Sequence, residues 1–562
     1  MEVLGTVEEL EIYHNGTTET TTLGKDVINN TQSSIADLLL LHDREVQLLE
    51  MLQSDEKIYK VIKEEFSSDG YDFESVKHSD ILHPVDSYNL IKRTARTWKR
   101  IGAMINNENE QLRSTVLETI KSFPEWETSR FAIALGILNI QKYYDLKPED
   151  LANGILHDHF NNVTFYARTR LGVGDAKLLA EVALEDEVEN LVGAVQWLKI
   201  FPRLRKRYMK LAIRHDDLIN NDPKKALSKH ILTAEVPFEK TVKKVTEIRI
   251  LNDKEKSRCP PFTGENLSNC DGRCLEFNRA SDIANLCQGD RSLRPPEKDI
   301  DVKCEHLHYQ DPFLRLLPFK LENANTEGNY VAMIHGLMTE QEVERMKVKA
   351  KGHMKATPYS VGDENQDFSY KRNSKIKYVS ERNDQLARTV TSRLEKALAF
   401  KIFTPEYRFS SENYQLMNYG FGGLISLHLD SSSGHQTFDN DIGGGRFTTA
   451  MIYLSNLASG GFTVFPKLGL FFKPRAGDLL FWNLKRTDAS TDERLKARKI
   501  FVNYYYFAII FRMQHIGCPV LYGDKWILNK WIRWSSQMFT FNCFLPKGGN
   551  YPSNLDVVRA QM

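Results

Sequence analysis

Two side chains in the segment Leu427-His428-Leu429-Asp430 could do metal chemistry together. In a β-strand, residues i and i+2 project from one face, so His428 and Asp430 can reach one ion from the same side. An isolated H-x-D is weak evidence, because unrelated surface pairs are common. The rest of the chain strengthens it. After His435 only one histidine remains, His515, immediately before the strand-like run IGCPVLYGDKWIL. Two imidazoles and one carboxylate are the facial donor set of non-haem Fe(II) oxygenases, which leaves coordination positions open for a chelating cosubstrate and dioxygen. Ten residues beyond His515 stands Lys525. A cation there could hold the far carboxylate of a dicarboxylic cosubstrate, where its bland role would be that of an ordinary surface lysine.

Such residues need a rigid frame, and the segments around them supply one. YQLMNYG, GLISLHLD, FTTAMIYLSNL and FTVFPKLGLFFKPRAGDLLFW are rich in β-branched and aromatic residues and punctuated by Gly and Pro. This spacing predicts an all-β sandwich or barrel from about Asn329 onward. The first half differs. Leu38, Leu41, Leu48, Leu49 and Leu52 recur near a 3.6-residue period, which predicts helix through 34–119. SRFAIALGILNIQKYYDLKPEDLANGI reads as a long apolar helix, a Lys-Pro turn and a second helix, with Pro148 in its first turn. Paired helices of this kind suggest a short tetratricopeptide-type array or a plain bundle. Residues 241–325 form a connector holding Cys259, Cys270, Cys274, Cys287 and Cys304. Its CDGRC group lacks a second ligand pair at finger-like spacing, which argues against zinc there.

Composition excludes several classes. With 75 Lys+Arg against 74 Asp+Glu in 562 residues, the net charge of +1 does not fit a nucleic-acid-binding specialist. Seven Cys are too few for a disulfide scaffold. The longest apolar run, Ile500–Phe511, is 12 residues, short of the ~20 a membrane span requires. MEVLGTVEELEIYHNG shows no secretory signal pattern. Sequons at Asn15, Asn29, Asn162 and Asn266 are compatible with a glycoprotein.

In order along the chain, YQLMNYG, H-x-D, LASGGFTVFPKLG, PRAGDLLFWNL and HIGCPVLYGDKWILNKW resemble the catalytic block of collagen-type prolyl 4-hydroxylase α-subunits. The helical half is similar to that family's dimerising and peptide-binding segments. The resemblance implies an α+β multidomain chain. Residues 1–33 would be a poorly structured N-terminus, 34–119 a helical dimerisation segment, and 120–240 a TPR-like peptide-binding domain with Tyr143 and Tyr144 as candidate groove residues. After the 241–325 connector, 326–545 would form a double-stranded β-helix (jelly-roll) dioxygenase domain, and 546–562 a tail. His428, Asp430 and His515 would ligate Fe(II). Lys525 would bind 2-oxoglutarate, and Tyr419, Trp531 and Arg533 would line the cosubstrate and peptide pocket. O2 would be cosubstrate and L-ascorbate would rescue oxidised iron. The substrate would be a collagen-like, Pro-rich peptide. Protein disulfide isomerase would complete an α2β2 tetramer in the endoplasmic reticulum lumen, and Cys287–Cys304 and Cys518–Cys543 would pair.

The sequence departs from this pattern at Ile425, where the family usually has Tyr, and at Arg533, where it has His. Arg keeps its charge permanently and is bulkier than the His it replaces. Residues 494–514 are a further anomaly. LKARKIFVNYYYFAIIFRMQ is apolar, β-prone and free of Pro and Gly, and it separates flanks that would join nearly directly in the family. It reads as an insertion such as a retained intron leaves, placed where it could displace His515.

Overall fold

The computed structural model describes residues 35–67, 77–105, 110–185, 197 and 282–290, and, with short gaps, 300–430, 446–484 and 513–533. The chain divides into two compact units, Thr6–Gln288 and Gly289–Met562. Nearly all of the 494–514 stretch lies outside the described residues, as do Asn15, Asn29 and Asn266. Among the described residues no helix is long and apolar enough to cross a membrane.

The first unit is mainly helical. The helix Ile35–Leu52 buries Leu38, Leu41, Leu48, Leu49 and Leu52, so the leucine periodicity is a core stripe. Helices Glu56–Ser67, Pro84–Lys92, Trp98–Met104, Glu110–Lys121 and Trp126–Tyr144 follow, the second and third joined by a π-turn at Arg93–Thr97. Within this bundle Glu45 accepts two hydrogen bonds from Arg93, at 2.9 and 2.8 Å, and one from Trp98 at 3.0 Å. The helix expected after the Lys-Pro turn is a single turn, Pro148–Ala152. It gives way to a hairpin, Ile155–Asp158 with Val163–Tyr166, inside the span expected to be a TPR-like helical domain. Asn162 sits exposed in that hairpin's turn at φ +52°, a conformation that Asn tolerates better than most residues. Tyr144 is buried in the core, which removes it as a groove residue, whereas Tyr143 is partly exposed.

The second unit is built on antiparallel sheets. The larger has nine strands in the order Ile300–Leu307, Phe319–Thr326, Asn329–His335, Leu479–Asn483, Arg446–Tyr453, Lys525–Arg533, Tyr414–Tyr419, Lys375–Val379 and Lys355–Ala356. Its first strand begins inside the stretch read from composition as connector. The smaller sheet has four strands, Ile425–His428, His515–Gly517, Thr463–Phe465 and Leu470–Phe472. Period-two alternation sorts the larger sheet's side chains between two cores. Leu416, Ala450, Ile452, Leu528 and Ile532 pack in one cluster with residues of the helices Glu340–Val348 and Gln385–Leu398. Met417, Tyr419, Met451, Tyr453 and Ile527 pack in the other with Phe465 and Leu470 of the smaller sheet. This is a jelly-roll arrangement, and the second cluster is its interior.

The cysteines depart from the pairing implied by resemblance. Cys304, on the sheet's edge strand, is a free, exposed thiol, so the Cys287–Cys304 pair does not form. Cys287 is nevertheless disulfide-bonded, and Cys518 is as well. Cys543, the expected partner of Cys518, lies outside the described residues.

Candidate active site

The smaller sheet brings the three metal-type residues together. Its strands Ile425–His428 and His515–Gly517 pair with His428 directly opposite His515. The insertion before His515 therefore does not displace it from the cluster. The two rings lie 4.2 Å apart, and Phe465 and Trp482 flank His515 at 5.5 and 4.7 Å. Asp430 follows the first strand by two residues. Its Oδ1 lies 3.6 Å from His428 Nε2 and its Oδ2 3.7 Å from His515 Nε2.

Hydrogen bonds set which nitrogens face the centre. His428 Nδ1 lies 2.8 Å from the Ser426 carbonyl oxygen and His515 Nδ1 3.2 Å from that of Met513. A carbonyl only accepts, so both Nδ1 atoms carry a proton, which leaves Nε2 of each ring as the atom facing Asp430. Burial lowers His515 to about 4, with further help from His428, so that ring is neutral and ready to ligate near neutral pH. Burial pushes the Asp430 carboxyl up, but His515, His428 and the Thr449 hydroxyl outweigh it and hold the group well below the ordinary carboxylate range. Thr449 Oγ1 donates to Asp430 Oδ2 at 2.6 Å. Two imidazole nitrogens and one carboxylate oxygen therefore converge on one side of a prospective ion, a set that fits Fe(II).

Lys525 begins the strand beside Tyr414–Tyr419 and pairs with Tyr419. It is 3% exposed, with its Nζ 5.6 Å from the Tyr419 ring centre and 6.0 Å from that of Tyr453. The backbone makes room for it at two glycines. A Cβ on Gly517, two residues after His515 and so on the same strand face, would stand 3.6 Å from Nζ. A Cβ on Gly461 (φ +67°) would meet Leu457 at 2.4 Å and the Lys525 stem at 3.5 Å. Burial lowers the ammonium from 10.5 to about 7. No anion partners it among the described residues. Lys530, five positions along, is also buried but is ion-paired with Glu381. A buried cation with no internal counter-charge is costly and calls for an anionic ligand. A dicarboxylate chelating the metal at one end and reaching Lys525 with the other meets that need.

Trp531 and Arg533 share the Lys525 strand and its interior-facing alternation, but lie towards its other end. Trp531 pairs with Thr449, beside Asp430, and its buried Nε1 has no hydrogen-bond partner among the described residues. Arg533 sits eight residues from Lys525, roughly 26 Å along a strand at ~3.3 Å per residue. Its Nη2 donates to Glu412 at 3.1 Å, so it does not share the Lys525 pocket. Ile425, where a hydroxyl was expected, lies opposite Gly517 and closes that end of the pocket with hydrocarbon.

Sequence reasoning missed three supporting residues. Besides Thr449, these are Arg446 and Glu412. Arg446 stacks on the Trp531 ring at 3.4 Å, donates to the Asp430 carbonyl at 2.9 Å, and is held by both Glu412 oxygens at 2.7 and 2.9 Å. The one local signal was a polar Thr449 on the strand face that carries Met451 and Tyr453.

Comparison with known proteins agrees with this geometry. Residues 34–158 match the family described as prolyl 4-hydroxylase alpha-subunit, N-terminal region, and residues 414–533 match the 2OG-Fe(II) oxygenase superfamily. The second match contains His428, Asp430, His515, Lys525, Tyr419, Trp531 and Arg533. Prolyl 4-hydroxylase subunit alpha-2 of Gallus gallus is 24% identical over 82% of this chain and 84% of its own length. Subunit alpha-2 of Caenorhabditis elegans is 27% identical over 84% of each. A solved structure, a viral collagen prolyl hydroxylase from Paramecium Bursaria Chlorella virus-1 in its 2OG complex, is 20% identical. It covers 37% of this chain and 97% of its own, with a TM-score of 0.27. The chain thus carries, in this order, a region similar to the prolyl 4-hydroxylase alpha-subunit N-terminal region and a region that matches the 2OG-Fe(II) oxygenase superfamily, as its α-subunit relatives suggest.

Proposed function

We propose that the chain is the catalytic α subunit of a procollagen-proline 4-dioxygenase, hydroxylating proline at C4 in X-Pro-Gly repeats with 2-oxoglutarate and O2. The observation that carries the chemistry is the buried Lys525 ammonium, without an anion among the described residues, beside the His428, Asp430 and His515 donor set. Iron(II) held there, with 2-oxoglutarate and O2, supplies oxidative decarboxylation to succinate and CO2 coupled to hydroxylation of an unactivated C–H bond.

The chain's own residues orient and protect that chemistry. His428 and His515 offer Nε2 because their Nδ1 protons are engaged by backbone carbonyls. Thr449 fixes one Asp430 oxygen and Arg446 fixes the Asp430 backbone. Lys525 sets the depth at which the dicarboxylate stops, and the surrounding rings of Tyr419, Tyr453, Phe465 and Trp482 exclude water. Trp531, stacked under Arg446, offers an unpaired N–H towards an incoming peptide carbonyl. A stiff polyproline-type strand loses little conformational entropy on docking, which suits a shallow aromatic platform. L-ascorbate is the reductant for oxidised iron, and protein disulfide isomerase is the partner of an α2β2 assembly in the endoplasmic reticulum lumen. These assignments follow the resemblance to the α-subunit relatives.

The test is co-expression of the full chain with protein disulfide isomerase, then 2-oxoglutarate turnover with (Pro-Pro-Gly)n peptide and analysis for 4-hydroxyproline. Peptide-stimulated succinate formation with hydroxylated product is expected. Turnover that the peptide does not stimulate would remove the collagen assignment. Arg533, pinned by Glu412 where the family carries His, favours a second reading, an oxygenase of this type acting on another peptide. Stimulation by a different Pro-rich or Lys-containing peptide alone would establish it.

A further inference from the structure

The helical unit contains a second group of metal-type donors, far from the catalytic block in sequence. His42 and Asp43 lie on the helix Ile35–Leu52, and His78 opens the 3-10 turn His78–Leu82. One donor atom from each lies within 4.8 Å of the others, the same closeness as in the catalytic group. His78 Nε2 is 2.9 Å from Asp43 Oδ1, and His42 Nδ1 is 3.8 Å from that same oxygen. Ligands tetrahedrally placed at ~2.0–2.1 Å from a zinc ion sit about 3.3–3.4 Å apart. The observed pair of distances brackets that value, so shifts of about half an ångström would seat an ion.

The His42 ring supplies a second, independent observation. Its side chain is only 7% exposed, on the leucine-lined face of the helix, and its Nδ1 is buried with no hydrogen-bond partner among the described residues. A buried, unsatisfied ring nitrogen costs on the order of 1–3 kcal/mol, and here it is directed at a carboxylate and a second imidazole. The His78 side is held firm, because Lys77 N–H donates to Asp80 Oδ2 at 2.9 Å and fixes the turn.

We propose that His42, Asp43 and His78 bind a divalent transition-metal ion of the zinc class, which clips the helix Ile35–Leu52 to the turn preceding Pro84. Two imidazole nitrogens and one carboxylate oxygen are borderline ligands suited to zinc, and water completes the tetrahedron. The clip closes a 35-residue separation, and because the unfolded chain has no preformed site, the ion's binding free energy adds to the stability of the folded helical unit. The ion joins two elements of the helical unit and so serves its architecture.

The test is equilibrium dialysis of the full chain against Zn2+ with elemental analysis, comparing variants that differ by one residue. The background is the chain with His428→Ala and His515→Ala, which empties the catalytic set. That background is expected to retain one equivalent of zinc at the helical group. His78→Gln or Asp43→Asn added to it is expected to lose that equivalent while far-UV dichroism stays unchanged, since both residues are partly exposed. Equal zinc content with and without either substitution would overturn the proposal. So would a background that binds no zinc at all.

Discussion

Replacing Lys525 by Met should strengthen the folded state while destroying the cosubstrate site. Burial takes the Lys525 ammonium from 10.5 to about 7. At ~1.4 kcal/mol per pH unit, this sets a ceiling of about 5 kcal/mol on the cost of burying the charge. The unfolded chain holds its proton up to 10.5, whereas the folded chain releases it near 7. The penalty is thus complete below pH 7 and fades as pH rises towards 10.5. Methionine keeps an unbranched stem between the Tyr419 and Tyr453 rings without the charge. Without 2-oxoglutarate, the variant should gain roughly 2–5 kcal/mol near neutral pH, and the rise in stability from pH 7 to 10 should flatten. With 2-oxoglutarate the order reverses. Removing the cation from a buried pair costs about 3–5 kcal/mol, which corresponds to a hundred- to several-thousand-fold higher 2-oxoglutarate requirement. Urea unfolding with and without 2-oxoglutarate, together with the 2-oxoglutarate dependence of succinate formation, reads both effects. A less stable apo variant with an unchanged requirement would refute the reasoning.

Three further outcomes follow from the same geometry. Thr449→Val removes the 2.6 Å hydrogen bond to Asp430 at nearly constant volume. Iron affinity should fall roughly ten- to a hundredfold, measured as the Fe(II) concentration giving half-maximal turnover. Since 2-oxoglutarate needs the protonated Lys525, its affinity should weaken above pH 7 by up to tenfold per pH unit, as isothermal titration across pH 6–9 would detect. Glu45→Gln removes the carboxylate charge facing Arg93 in the helical core, where both side chains are at most 3% exposed. The helical unit should lose about 3–5 kcal/mol, seen as an earlier urea transition with catalytic-site iron binding retained.

Much of the site was legible because short-range rules place it. An H-x-D in a strand must share a face, and although the strand ends at His428, Asp430 two residues on still turns its carboxylate to the same side. The strand beginning at Lys525 carries its lysine inward by the same alternation that turns Leu528 and Ile532 outward. The leucine stripe of 38–52 obeyed the helical period. The missing parts depend on register between distant segments, which no local pattern encodes. Thr449 meets Asp430, and Arg446 meets Glu412 34 residues away, only once the sheets are assembled. Arg533 looked available for a carboxylate by its charge, yet the neighbouring segment supplies Glu412 to it. Tyr144 and Tyr143 are equivalent as sequence, and the helix's rotation alone buries one of them. The free Cys304 was invisible for a related reason, since strand pairing fixes it at an exposed edge and resemblance could not.

The central claim, that His428, Asp430, His515 and Lys525 form one Fe(II) and 2-oxoglutarate site, is tested most directly by anaerobic spectroscopy. Fe(II) is added to the full chain in the presence of 2-oxoglutarate, and the visible absorption of an Fe(II)–2-oxo acid chelate is recorded for the parent and for Asp430→Ala. The expected result is a band that saturates with Fe(II) in the parent and is absent in the variant. No band in the parent, or an equal band in both, would contradict the assignment.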